Sequence, residues 1–571
     1  MMRRSWFILL CALCCTAAQA QTGNPVVSGS LQSDIMVAPQ KDASIGAYEE
    51  SYDNRYFLTN TYADFLLQSQ YLDAGLRAEF MQFPMPGYDD PTKDIHFKGY
   101  GVPNLWGKLK LKKMDVTLGS LYEQFGSGFI LRTYEERSLG IDNSLLGGRI
   151  SYRPIEGLKV TALSGVQRTY WEWGSNLITG ADAELSLDEW IRPLKAHDTH
   201  LTLGASWVNK HESQDASLGD VFFMQEIGAD QYRLNVPAYV NAFDVRAQLQ
   251  RGGFSALAEY AEKSADPNTL NNATYGKGRA TMLSLTYARS GLSLLAQAKR
   301  SENMAFRSER GRNALSPAAY INHTPAFTLD HTYTLAALYP YATQHDGEWA
   351  FQGGVGYNFK RKTMLGGKYG TKLKVNYSLV KGLENNKLLG EKASDGPQNA
   401  FFKMGDTYYQ DINAQLEKRL TKAFDMHLMY MHQRYNGQVI NGHIEGMINS
   451  NIFIAEGKYK MSRKLTLRGE AQYLLTRHES GDWGFGLLEL SVAPYLMFTV
   501  SDQIGRCEDA STETGYGDVK HYYNVSVTGN YKSHRLQVGY GRTRAGYNCT
   551  GGVCRYIPAS KGVRISYNYN F

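Results

Sequence analysis

An apolar–polar alternation with a period of two recurs along most of this chain. In the last segment Val563, Ile565, Tyr567, Tyr569 and Phe571 fall on one face, and Arg564, Ser566, Asn568 and Asn570 on the other. Leu201, Leu203, Ala205 and Trp207 oppose Thr202, Gly204 and Ser206, while Leu465, Leu467, Gly469, Ala471 and Tyr473 oppose Thr466, Arg468, Glu470 and Gln472. Successive side chains of a strand point to opposite faces, so the pattern predicts strands with one oily and one wet wall. Such segments begin near residues 25, 56, 73, 104, 115, 147, 158, 181, 200, 239, 254, 279, 292, 348, 371, 407, 424, 451, 464, 484, 495, 520, 535 and 562, about 24 in all. Tight turns at Glu156-Gly157, Gly252-Gly253, Ser290-Gly291, Ser462-Arg463 and Ser533-His534 suit hairpins. They alternate with long polar connections at roughly 40–54, 84–103, 122–146, 209–238, 303–347, 384–404, 436–450, 503–519 and 545–560. An even strand count, with short turns at one end and long loops at the other, is the pattern of an all-β, antiparallel up-and-down barrel in an outer membrane. The stretch 330–370 is ambiguous: Tyr333 to Tyr341 reads as an extra strand or as part of a long outer loop.

Composition supports this reading. Beyond the amino-terminal leader no window approaches the length of apolar sequence that a membrane-spanning helix needs. A mean hydropathy of −0.40 looks soluble, but half of each barrel strand faces water. The 39 Tyr, 23 Phe and 8 Trp suit the aromatic girdles at the two membrane interfaces. Arg3 and Arg4, an apolar stretch from Trp6 to Cys15, and Ala18-Gln19-Ala20 before Gln21 predict a cleaved secretory signal over residues 1–20. Residues 21–571 are then one outer-membrane β-barrel domain, with no soluble plug domain. The formal charge, +6 for the full chain, falls to +4 without the two leader arginines, which argues against a nucleic-acid partner.

Cys11, Cys14 and Cys15 fall in the leader, which leaves Cys507, Cys549 and Cys554. The spacing Cys549-Thr-Gly-Gly-Val-Cys554 can close a small disulfide loop, with Cys507 left as a free thiol or a competing partner. Two thiols with no neighbouring His are too few for structural zinc.

The densest chemistry lies in Tyr122-Glu-Gln-Phe-Gly-Ser-Gly-Phe129 and its continuation to Asn143. Gly126 and Gly128 let the chain bend sharply off a strand. Glu123, Arg132, Glu135, Arg137 and Asp142 can then bond to the barrel wall, either as a constriction that touches substrate or as an ordered loop whose charges satisfy one another. Arg468 and Glu470, on the wet face of their strand, are further lumen candidates. Arg542, Arg544 and Arg555 flank the cysteine pair and either attract anions or pair with carboxylates or lipid phosphates. No enzymatic centre is expected: His427 and His432 fall on opposite faces of one strand, and no nucleophile elbow appears. Asp89, Asp90 and Asp94 read as solvated loop acids rather than a calcium site. The sequons at Asn322 and Asn548 read as chance. No metal or cofactor is implied.

The segments Tyr122-Glu-Gln-Phe-Gly-Ser-Gly, Arg132-Thr-Tyr-Glu-Glu-Arg and Gly140-Ile-Asp-Asn143, with the ending Gly546 to Gly562, resemble a family of uncharacterised outer-membrane proteins of Bacteroidota. The resemblance implies location and barrel type, and no activity. A barrel of about 24 strands would leak if empty, since barrels of roughly 16–18 strands already leave an aqueous channel. Loops or a partner must therefore fill it. Two functions fit: a pore or transporter for a solute or lipid, with 122–146 as constriction, or a non-enzymatic subunit of an outer-membrane secretion or assembly complex. The expected partners are outer-membrane lipid and outer-membrane or periplasmic proteins.

Overall fold

The computed structural model describes residues 25–47, 56–213, 224–227, 230–233, 235–271, 273–384, 400–442, 446–478, 481–508 and 516–571. The leader therefore lies outside the described residues. The alternating segments become β1 (Val26–Val37), β2 (Phe57–Gln68), β3 (Leu72–Met81), β4 (Gly99–Lys110), β5 (Met114–Leu121) and β6 (Leu145–Tyr152). They continue as β7 (Leu158–Thr169), β8 (Glu172–Ser186), β9 (Thr199–His211), β10 (Tyr239–Arg251), β11 (Phe254–Lys263) and β12 (Gly278–Arg289). Next come β13 (Leu292–Glu302), β14 (Gly347–Phe359), β15 (Thr371–Leu383), β16 (Met404–Arg419), β17 (Phe424–Asn436) and β18 (Met447–Lys460). The last six are β19 (Leu465–Thr476), β20 (Trp483–Val492), β21 (Leu496–Glu508), β22 (Tyr516–Tyr531), β23 (His534–Thr543) and β24 (Ser560–Asn570).

Each strand pairs antiparallel with its sequence neighbours, and β1 pairs with β24, so one 24-stranded sheet closes on itself. Closure leaves no open edge, the condition for a sheet to lie in lipid. At the seam Gly29 and Phe571 exchange backbone hydrogen bonds of 3.0 Å each. Phe571 also packs edge-on against Phe65.

The alternation sets which wall each residue occupies. Leu428, Tyr430, Phe453, Leu467, Tyr473, Leu488 and Val500 are exposed on the outer wall, part of an apolar belt far larger than a soluble surface tolerates. Such a barrel fits outer-membrane proteins. No helix among the described residues is long and apolar enough to cross a membrane.

Two strand starts fall five or more residues earlier than the sequence suggests. β4 begins at Gly99 rather than near 104, because Pro103, which reads as a breaker, is carried at a register shift against β3. β8 begins at Glu172 rather than near 181, across a second shift opposite Val166 and Arg168. Residues Tyr333 to Tyr341 are neither strand nor outer loop. The connection 303–346 turns inward and crosses the lumen.

Candidate functional site

Two connections fill the long-loop half of the barrel. In 122–144, Gly126 and Gly128 hold φ of +53° and +98°, the left-handed region that lets a non-strained chain reverse into the lumen. Phe125, Phe129, Ile130 and Leu131 are fully buried there. The second connection contributes Phe306, Ile321, Phe327, Leu335, Ala336 and Leu338 to the same apolar cluster, which packs against wall residues such as Ile178, Val208, Ala350, Met431, Ile452 and Leu474. The lumen is therefore not watery throughout, as charges at Arg468 and Glu470 had suggested. Its long-loop half holds a packed apolar core bordered by buried ion pairs.

Irregular backbone at that depth needs hydrogen-bond partners, and the two connections supply them to each other. Arg132 N–H donates to the Ile321 carbonyl at 2.8 Å, and His323 N–H to Gly128 at 2.9 Å. Asn322, a sequon residue, is buried and donates to the carbonyls of Phe129 (2.9 Å) and Met304 (2.7 Å).

Electrostatics fix both connections to the wall. Arg77 on β3 bonds Asp64 on β2 at 2.7 Å and Glu135 at 2.6 Å. Arg137 bonds Asp64 at 2.7 Å and Glu135 at 2.6 Å, and Asp142 bonds Arg168 on β7 at 2.5 Å. Glu123 pairs with Arg149 on β6, and Arg132 stacks on Tyr134 at 4.6 Å. Burial lowers the pKa of the Arg137 guanidinium, but Glu135 and Asp64 outweigh it and hold the group above its ordinary value. The structure thus joins Glu135, Arg137 and Asp142 in one network and holds Glu123 and Arg132 beside it. Arg468 and Glu470 sit apart on β19, paired with each other and, through Arg468, with Glu456 at 3.0 Å.

Sequence reasoning missed the anchors of 303–346. Arg307 is fully buried and donates to the carbonyls of Arg312, Asn313 and Ser316 while stacked on Tyr320 at 4.6 Å. Arg310 meets Glu212 at 2.8 Å, and His331 meets Asp411 on β16 at 2.6 Å. Leu335 N–H donates to Gln472 on β19 at 2.8 Å, and Gln433 on β17 donates to the Tyr339 carbonyl at 3.0 Å. Tyr333 bonds His427 and Glu456 on the far wall. His432 points the other way, beside Asn451.

The segment 333–339 is a septum between two cavities of about 850 Å³ each. Tyr333 lines the one at the short-turn mouth, with Lys360, Arg361, Lys372, Lys458 and His427. Leu338 and Tyr339 floor the one at the long-loop mouth, under Tyr320, His323, His345, Arg544, Tyr547 and Arg555. Among the described residues no cluster of side chains suits a metal ion. Asp90 pairs with Lys93 and Asp94 with Arg312.

A disulfide joins Cys549 and Cys554 across a hairpin, Gly546–Thr550 against Val553–Ile557. Its tip grips the septum connection: Thr343 N–H donates to Gly552 at 2.9 Å, and Gly551 N–H to Asp330 at 3.1 Å. Gly552 holds φ +86°, and a Cβ there would lie 2.3 Å from Thr343 Oγ1. Closing so short a loop removes about 2 kcal/mol of chain entropy. Reduction, or Cys549→Ser with Cys554→Ser, is expected to leave the barrel folded and speed protease cleavage within 303–346 several-fold; unchanged cleavage contradicts the clamp. The side chain of Cys507, on β21, lies outside the described residues.

Burial, with nearby Arg132 and Lys299, pushes His323 down to about 3, and burial, with Arg307 and Lys299, pushes His345 down to about 4. Burial lifts Asp346 to about 6. The two imidazoles stabilise the docked connection fully above the ordinary value of 6.5, and this is lost as pH falls toward their folded values. Asp346 acts oppositely, contributing fully below 3.8 and losing it as pH rises through about 6. Two histidines outweigh one carboxyl. Acidification from neutral pH toward 4 should therefore loosen the septum, read as more frequent openings in planar bilayers; a pH-independent record contradicts this.

A family model described as "Family of unknown function (DUF6029)" matches residues 2–571, and the chain belongs to that family. No curated protein sequence matches it. Among solved structures it is similar to the siderophore receptor PirA from Pseudomonas aeruginosa, at 11% identity over 96% of this chain and 82% of that one, with a TM-score of 0.40. The P pilus usher (PapC) translocation pore matches at 9% identity over 96% and 99%, with a TM-score of 0.40. Acinetobacter baumannii OccAB3 matches at 10% identity over 96% and 99%, with a TM-score of 0.34.

Proposed function

We propose that this chain is an outer-membrane transporter for a small solute, held closed at rest by its own connections 122–144 and 303–346. The short turns then face the periplasm and the long loops the exterior, after export on a signal cleaved behind Ala20. The observation that carries the reading is the septum: Tyr333 lines a cavity at the short-turn mouth, Leu338 and Tyr339 line one at the long-loop mouth, and the two inward connections pack in the lumen. A subunit that only needed a sealed barrel would gain nothing from a cavity at each mouth. Glu123, Arg132, Glu135, Arg137 and Asp142 act in this reading as the staple that holds the closed state, and Arg468 and Glu470 line the path below it. In this reading the loops themselves occlude the lumen, so no partner is required to prevent leakage.

Purified protein in planar bilayers tests this. The expected record is a quiet baseline with brief openings. A steady large current contradicts the closed state. Permanent silence, together with subunits that co-purify in stoichiometric amounts after gentle extraction, would favour the assembly-complex reading.

A further inference from the structure

The arginines flanking the disulfide divide into two kinds. Arg542 pairs with Asp42 at 3.3 Å and bonds Ser44 at the barrel rim. Arg544 and Arg555 line the outer cavity, and neither has a carboxylate partner among the described residues. Each is instead seated on an aromatic face, Arg544 over Trp483 at 5.5 Å and Arg555 over Tyr88 at 3.7 Å. A ring face orients a guanidinium without neutralising it. Arg555 is only 5% exposed, and its Nε and Nη1 have no hydrogen-bond partner. A buried cation without a counter-ion is costly, and an anion bound at Arg555 relieves that cost.

The other unpartnered groups at this cavity refine the ligand. Thr343 Oγ1 and His345 Nδ1 are buried without partners, and so is Asn441 Oδ1, which can only accept. A bare anion would leave that acceptor unsatisfied, whereas a hydroxyl donates to it. Tyr547 adds an aromatic ring, and a volume of about 850 Å³ accommodates a few sugar-sized rings. The cavity's carboxylates, Asp89 and Asp90, stand on the Lys93 side, where Asp90 bonds Lys93 at 2.9 Å.

We propose that the outer cavity binds a hydroxyl-rich organic anion, an acidic saccharide of one or two rings, with its carboxylate on Arg555 and Arg544 and its hydroxyls on Asn441 and Thr343. This names a ligand class for the transporter reading above, and binding is measured apart from passage so that the two fail separately. The full-length protein in detergent is titrated by calorimetry with digalacturonate and with its uncharged counterpart, digalactose. Saturable binding of digalacturonate, at least ~10-fold tighter than digalactose and weakened by a similar factor in Arg555→Gln, is expected. No saturable binding, or equal affinity for the two disaccharides, overturns the proposal, and this comparison needs no variant. A folded Arg555→Gln protein that binds digalacturonate as well as the wild type overturns the assignment of the carboxylate; should that variant not fold, Arg544→Gln takes its place with the same criterion. Liposome uptake is scored separately: binding without uptake removes the transport reading and leaves the site, and uptake without binding removes the site alone.

Discussion

Replacing Asn303 to Asp346 with a two-residue Asn-Gly turn should convert a closed protein into a steadily conducting one. Glu302 and Gly347 are register partners at the ends of β13 and β14, so a tight hairpin turn can join them without disturbing the sheet. The replacement removes Phe306, Ile321, Phe327, Leu335 and Leu338 from the lumen core, and with them the septum between the two cavities. The 122–144 connection remains inside, held to β2, β3, β6 and β7 and, through Ser127, to Glu259 on β11. With the other connection gone, the expected single-channel current exceeds that of porins of roughly 16–18 strands, whose lumens are narrower. An electrically silent variant that still migrates as a folded barrel would show that 303–346 is not what closes the lumen.

The second large effect is expected at Arg168. Its side chain is 2% exposed, bonds Glu79 at 2.9 Å and Asp142 at 2.5 Å, and donates to the Tyr170 carbonyl at 2.6 Å. Arg168→Met leaves two buried carboxylates with only the more distant Arg77, at 3.7 and 3.4 Å. Removing one partner of a buried pair costs about 3–5 kcal/mol, so the 122–144 connection should undock and thermal unfolding should begin at markedly lower temperature. Arg468→Met is the control. Its side chain is 27% exposed to the watery half of the lumen, where a pair contributes roughly 0–1 kcal/mol, and little change is expected. Equal effects from the two substitutions would contradict a buried network at Arg168 against a partly exposed pair at Arg468.

Strands were legible because lipid on one side and water on the other impose a period of two that survives in the sequence. The pattern blurs where a strand is covered on both faces. Ile452-Phe453-Ile454 and Tyr473-Leu474-Leu475 run apolar without alternation because Ile452, Ile454 and Leu474 face the packed core while Phe453, Tyr473 and Leu475 face lipid. Continuous apolar runs of this kind are the sign of double burial, and they were the available clue that the lumen is filled.

The connection that fills it left a weaker trace. Residues 303–347 read as a long polar connection, yet Arg307 and Arg310 are fully buried. Arg307 is satisfied by carbonyls of its own turn, which no side-chain pattern reports, and the partner of Arg310, Glu212, lies far off in sequence. Chain reversal at Gly126 and Gly128 was readable from residue type. The division of the arginines near the cysteines was not, because it depends on which of them a carboxylate can reach in the folded barrel.

The most direct test places a single thiol below the septum. Lys458 lines the cavity at the short-turn mouth, so Lys458→Cys, in a background with Cys507→Ser, reports from which side that cavity is reached. A membrane-impermeant maleimide added to intact cells should leave it unlabelled, and the same reagent admitted to the periplasm should label it fully. Rapid labelling from outside would contradict a barrel closed by its own loops, and recovery of the protein in the soluble fraction would contradict the barrel's place in the membrane.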